Sequence, residues 1–373
     1  MAGPGGAWQG QARLGCSIYD FLLGLGLATA YWPGFLSAAT APRWCLLALA
    51  APLLLWQVPS LSFSGLTFPL TAFLSYALLS LWWTPVPIIG LWPIAHFAIF
   101  AALIIYAAQA DTDGLLIGFA IGIALQAPLV IAQAHGFDLI GQSVPPAGLF
   151  YNRNFLAEAA VPVLIWLCYR PNLAARMIAV GVAIDACLSF DRAAAVGAAV
   201  GLWFVLGRRS RIVLATLAFA VIAELTLISA WGEQSIAGRL LIWGAIISHM
   251  SWFGAGASAS TVMLYPLAHA VHSDPLQLLY ELGLGAIPLF WVIGNAFQSD
   301  GPERPALACL VAESMFSLPF QLPATIFLAA LLIGRLHARR ECLRPLGHLC
   351  GVHDLAYRRW PPAPRRYADW GRQ

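Results

Sequence analysis

"IIGLWPIAHFAIFAALIIYAAQ", residues 88–109, contains no Asp, Glu, Lys or Arg. About 20 consecutive apolar residues suffice to cross the hydrocarbon core of a bilayer as a helix. Inside lipid the backbone must satisfy its own hydrogen bonds, so a helix is the expected form. Runs of the same kind recur on both sides of this stretch. The chain is 60% hydrophobic and only 10% charged, whereas a soluble domain carries about a quarter charged residues. The expected fold class is therefore all-α, a polytopic transmembrane helix bundle.

Apolar runs set against Pro, Gly and charge punctuation give about twelve spans, near 18–39, 44–58, 66–83, 88–109, 114–134, 154–169, 174–190, 192–207, 212–230, 274–297, 305–319 and 321–337. The last two are short enough to form a hairpin. Three regions follow: an N-terminus at 1–17, a transmembrane domain at 18–337, and an Arg/Pro-rich tail at 338–373. The tail lacks apolar periodicity and is expected to be mobile. Seven cysteines are scattered without a CxxC pair, so neither a disulfide framework nor a zinc site is indicated.

Arginines set the orientation. "YRPNLAAR" (169–176), "GRRSR" (207–211) and Arg335, Arg339, Arg340 and Arg344 fall on one side of the predicted bundle. An excess of basic residues marks the cytoplasmic side. The opposite face keeps Arg43, Arg153, Arg192 and Arg239. Its longest non-spanning stretch, 231–273, is predicted to hold an interfacial helix with Ile236, Leu240, Trp243, Ile247 and Met250 on its apolar stripe. "FGAGASAS" (253–260) follows as a stretch able to flex.

Four polar features share that outer face. "GLFYNRNFLAE" (148–158) places Asn152, Arg153 and Asn154 at the mouth of a span, with Glu158 one helical turn below Asn154. "SFDRAAA" (189–195) is a tight turn carrying Asp191 and Arg192. "GRLLIW" (238–243) supplies Arg239. "HSDPLQLLYELG" (272–283) supplies His272, then a Ser-Asp-Pro helix start in which Asp274 is the expected cap. Each arginine taken alone also reads as an interface anchor, its stem snorkelling along lipid, and His272 alone reads equally as part of a helix cap. Together they place guanidinium forks, which suit phosphate, beside an imidazole able to act as a base near neutral pH. On that side of the membrane there is no nucleotide sugar, so a preactivated, lipid-borne diphosphate substrate is the expected partner.

Two metal patterns compete. "DTDG" (111–114) could hold a divalent ion, but it falls on the cytoplasmic side and reads better as an Asx turn. His269, His272 and Asp274 also have metal-like spacing, without constrained geometry. No metal and no cofactor is expected. Glu158, Asp185, Glu224, Glu281 and Glu313 lie within spans, where each carboxylate requires a partner or a function.

In this order the four motifs resemble the O-antigen ligase family and its relatives, the O-antigen polymerases and protein O-oligosaccharyltransferases. The likeness covers roughly 60–300. It rests on the Gly…Asn-x-Asn stretch "GLFYNRNFLA", the Ser-x-x-Arg turn "SFDRAA", the Arg…Trp segment "GRLLIW", and the His followed by Glu-Leu-Gly in "HSDPLQLLYELG". Asp191 stands where a small or hydroxyl residue is usual, and lowers the positive potential beside Arg192. The resemblance implies a GT-C-like enzyme of the bacterial inner membrane with its site facing the periplasm. It implies metal-independent, inverting transfer of a glycan from undecaprenyl diphosphate to an acceptor hydroxyl, on lipid A-core or another glycan, in lipopolysaccharide or surface-polysaccharide assembly. Arg192 and Arg239 would bind the donor diphosphate and His272 would be the base. Asn152, Asn154, Glu158 and Glu281 would support them. A polymerase of the same superfamily, a transporter or flippase of envelope glycolipids, and a noncatalytic membrane scaffold are the other expectations.

Overall fold

The computed structural model describes residues 6–32, 40–58, 65–137, 140, 144–189, 191–206, 236–264 and 271–349. Among these the chain is helical, with no strands and one isolated bridge between Val144 and Asn152. The helices are α1 Gly6–Thr29, α2 Thr40–Trp56, α3 Thr67–Leu79, α4 Pro87–Gln109, α5 Asp113–Ala124, α6 Ala127–Ala134, α7 Arg153–Leu167, α8 Leu173–Leu188 and α9 Arg192–Val205. They continue as α10 Ile236–Ser248, α11 Ala259–Leu264, α12 Asp274–Leu282, α13 Ile287–Ala296, α14 Glu303–Ser314 and α15 Pro323–Leu349.

Three segments are long and apolar enough to cross a membrane: Pro87–Gln109, Asp113–Ala134 and Asp274–Ala296. The last is interrupted by a 3-10 turn, Gly283–Ala286. The expected span at 212–230 lies outside the described residues. The final helix continues past 338 to Leu349, so the first part of the Arg/Pro-rich tail is helical rather than irregular.

Helices without polar faces must pack through shape, and small residues allow the closest approach. A Cβ at Gly24 of α1 would lie 2.1 Å from the Leu115 carbonyl oxygen, and one at Gly118 of α5 would lie 2.1 Å from that of Phe21. These two glycines let the α1 and α5 backbones touch. Elsewhere α4 packs along α15, and α7, α9 and α14 pack against one another. The main core cluster has Leu103, Ile104, Phe119, Trp166 and Phe327 among its buried members, and a smaller second cluster lies around α10.

Ion pairs gather one end of the bundle. Asp113 bonds Arg170 and Arg335, each at 2.8 Å, and the fully buried Glu303 bonds Arg335 at 2.9 Å and Arg339 at 3.1 Å. Asp111 accepts from the Asp113 backbone N–H at 3.0 Å, the geometry of an Asx turn. The Asp-Thr-Asp-Gly motif thus ties two arginine-bearing segments, the α7–α8 turn and α15, together through Asp113, with Glu303 holding α15 beside it. Arg43, at the other end, is sunk in the bundle at 2% exposure. Its guanidinium donates to the carbonyl oxygens of Leu27, Ala28 and Leu149 and lies over the Phe150 ring.

Candidate functional site

At the end opposite the Asp113–Glu303 pairs, the chain turns between α14 and α15 through "MFSLPFQ" (315–321). Pro319 cannot continue a helix from α14, and the exposed backbone of this turn becomes a hub. The Phe316 carbonyl oxygen accepts from Arg239 Nη1 at 2.6 Å. The Ser317 hydroxyl donates to Glu158 Oε1. The Phe320 backbone N–H and Gln321 Nε2 donate to the two oxygens of Asp274 at 2.8 Å and 3.0 Å. One turn therefore collects α10, α7 and the start of α12. Sequence reasoning missed this hub, because a short Ser/Pro/aromatic turn carries no chemical signature.

Each motif is shaped locally before it meets the hub. Asn152 caps α7 by accepting from the Asn154 N–H at 2.9 Å, and Arg153 N–H bonds the Val144 carbonyl at 3.1 Å. The two asparagines thus define where α7 starts. Asp191 caps α9, accepting from Ala194 N–H at 3.1 Å. Its carboxylate sits where the helix dipole favours a negative charge, and the exposed Arg192 follows as the first helical residue.

Arg239 lies within electrostatic reach of Asp191, Arg192 and Glu158. Burial pulls its guanidinium pKa down, Asp191 and Glu158 push it up, and Arg192 lowers it further. Its Nε is buried with no hydrogen-bond partner. The two arginines singled out from the sequence, and Glu158 below them, thus share one neighbourhood. The protein-facing side of α10 is Ile242 and Ile246, packed with Ala259, Leu264, Val271 and Tyr280. Leu240 and Ile247, expected on the apolar stripe of an interfacial helix, are more than half exposed on the face turned away from the protein. Apart from Arg239 and the terminal Ser248 the helix is apolar all round, so hydrophobic periodicity could not say which residues meet the protein.

His272 is half-buried and left-handed, with φ 55°. Such a conformation costs a non-glycine residue roughly 1–3 kcal/mol, and outliers of this kind concentrate at functional sites. Val271 before it accepts from the Trp243 indole N–H at 3.0 Å, and the Trp243 ring lies 6.0 Å from that of Phe316. The segment bearing His272 is thereby tied to the helix bearing Arg239. Asp274 does not cap its own helix. The N-cap is Ser273, without a side-chain cap bond, and the Asp274 carboxylate reaches across to the hub instead.

The "FGAGASAS" stretch is a docked strap rather than a flexible link. Its backbone bonds α12 and the turn after it: Ala255 N–H to Tyr280 O at 2.8 Å, Gly256 N–H to Glu281 O at 2.8 Å, and Leu284 N–H to Trp252 O at 2.9 Å. A Cβ on Gly283, whose φ is +54°, would fall 2.2 Å from Trp252 O. On the strap's other side, Thr84 Oγ1 donates to Ala257 O at 2.7 Å and the Ala257 N–H donates to Ser80 Oγ at 3.2 Å. Glu281 locks it, accepting from Ser258 N–H at 2.9 Å, Ser260 Oγ at 2.5 Å and Gln277 Nε2 at 3.0 Å. Gln277 Oε1 accepts in turn from Gln321 Nε2 at 3.0 Å. A continuous polar chain therefore runs from Asp274 to the strap. Beside the strap lies an open groove of about 450 Å³ lined by Met250, Trp252, Leu279, Leu284 and Ile287.

No group of three or more His, Cys, Asp or Glu that could hold a metal occurs among the described residues; His269 lies outside them. No protein family matches the chain, and no curated protein is detectably similar to it.

Proposed function

We propose that this chain is an inner-membrane glycosyltransferase of the O-antigen ligase type, a GT-C-like bundle of about twelve spans. It moves a glycan from undecaprenyl diphosphate to an acceptor hydroxyl on the periplasmic face. The observation that carries the reading is the shared neighbourhood of Arg192 and Arg239, hub-tied to the segment presenting a left-handed His272.

In this mechanism the two guanidinium groups bind the donor diphosphate. The acceptor hydroxyl oxygen attacks the anomeric carbon from the face opposite the diphosphate. The C–O bond to the diphosphate breaks, and the electron pair leaves with it. His272 takes the hydroxyl proton. Guanidinium donors fixed at developing charge fill the role that a metal plays in other transferases, and losing one such donor typically costs about 10²–10³ in rate. The apolar groove beside the strap suits the isoprenoid chain of the donor. The acceptor is lipid A-core or another surface glycan.

His272→Ala is expected to abolish transfer from lipid-linked glycan while the protein inserts and purifies as wild type. Retained transfer overturns His272 as the base. Arg192→Lys is expected to be severe, because a point charge does not reproduce bidentate phosphate contact.

A transporter or flippase is the second reading. It is favoured by the break at Gly283 in an otherwise continuous apolar segment, since interrupted helices mark substrate sites in transporters. Flux of glycolipid through reconstituted protein, without glycan transfer, would select it.

A further inference from the structure

Beneath the two arginines lies a pair of acids that the proposed chemistry leaves idle. Glu158 on α7 and Glu313 on α14 are both 0% exposed. Glu158 Oε1 accepts from the Ser317 hydroxyl, and Glu313 Oε1 accepts from the Cys309 thiol at 3.2 Å. The second oxygen of each is buried with no partner. No salt bridge among the described residues reaches either one. The two carboxyl groups lie within electrostatic reach of each other and of Asp191, and Glu158 is also within reach of Asp274 and Arg239. Helix α9 closes over the pair through Gly197, where an added Cβ would sit 2.6 Å from Glu313 Cγ and 2.7 Å from its Oε1.

Two carboxylates sharing one apolar site cannot both ionise without a cation between them. The wider balance points the same way. Arg239 feels Asp191, Glu158 and Arg192, while Glu158 is also within reach of Asp274 and Glu313, so four carboxyl groups and two guanidinium groups are linked through Glu158 and Arg239. Fully ionised, that set would repel a diphosphate. With the buried acids neutral, the guanidinium charges would dominate instead. Arg239 Nε is buried and unpartnered, as is Glu158 Oε2. An ionised Glu158 would draw that N–H to itself, and a protonated one would not.

We propose that Glu158 and Glu313 hold a shared proton, and that this proton keeps Arg239 available to the donor diphosphate, so that donor binding is coupled to proton retention. This rests on the reading of Arg192 and Arg239 as diphosphate ligands. Neither acid touches substrate; both are positioning residues acting through Arg239.

The test uses the full chain in lipid nanodiscs with farnesyl diphosphate as probe, titrated from mildly acidic to mildly alkaline pH. Its apparent Kd is expected to rise roughly tenfold per pH unit once the shared proton leaves. Glu158→Gln and Glu313→Gln, which fix a neutral group in place, should flatten that dependence beyond the diphosphate's own titration. A slope that persists in both variants overturns the proposal. Infrared difference spectra of wild-type protein carrying isotope-labelled Glu serve where a variant does not fold. A protonated-carboxyl band that disappears with alkali supports the shared proton, and its absence refutes it. Failure to bind farnesyl diphosphate at any pH, with that band present, removes the arginine site itself while leaving the acid pair intact.

Discussion

Replacing Glu281 with Ala tests the strap. The carboxylate accepts three hydrogen bonds, from Ser258 N–H, Ser260 Oγ and Gln277 Nε2. Ser258 and Ser260 are 5% and 3% exposed, so water does not readily replace the lost acceptor there. Gln277 is less buried and the Ser260 hydroxyl can rotate, which leaves the Ser258 N–H as the main orphan. At about 1–3 kcal/mol for an unsatisfied buried donor, the expected loss is roughly 1–3 kcal/mol, a sizeable part of a stability that is typically about 5–15 kcal/mol. Glu281→Gln keeps one acceptor oxygen and should lose less than half as much. Thermal unfolding in detergent reads the difference, at roughly 2–4 °C per kcal/mol for a chain of this size or somewhat smaller. Proteolysis across 252–258 should accelerate in parallel. If Glu281→Ala melts with wild type and its strap resists protease equally, the lock does not exist and the strap is held by its backbone bonds alone.

Arg43→Met strips three carbonyl oxygens of their donor and is expected to cost about 3 kcal/mol or more; a wild-type melting curve argues against the buried anchor. Glu303→Gln leaves Arg335 and Arg339 without their buried negative partner and should lose about 3–5 kcal/mol. Asp113→Asn, at a carboxylate 39% exposed, should lose about 1 kcal/mol or less, so equal losses from the two would refute the division between buried and surface pairs. Gly283→Ala forces a Cβ against Trp252 O at 2.2 Å, and is expected to unfold more readily than Gly294→Ala, whose Cβ meets nothing within 4 Å.

The Asx turn at 111–113 was legible because short-range hydrogen bonding belongs to the residue types themselves. The expected clustering of Arg192, Arg239 and Glu158 was legible only as a convergence on one face. Nothing in "MFSLPFQ" announced that its carbonyl, hydroxyl and amide groups would gather them. Asp274 misled for a related reason. Its position fits a local cap, yet the Phe320 N–H and Gln321 amide offered it partners that sequence proximity cannot reveal. Asp191, read as weakening the arginine, proves to be the cap that fixes where Arg192 emerges.

Composition alone determined that the chain is helical and suited to lipid, because apolar runs of bilayer length leave the backbone only its own hydrogen bonds to make. It could not determine which glycines were points of close contact. The 253–260 stretch has the composition of a flexible linker, and only the arrival of α12 on one side and Ser80 and Thr84 on the other turns its missing side chains into close packing. Nor could it pair Glu158 with Glu313, which are far apart in the chain. That encounter depends on α7, α9 and α14 meeting, and on Gly197 being small enough to let them.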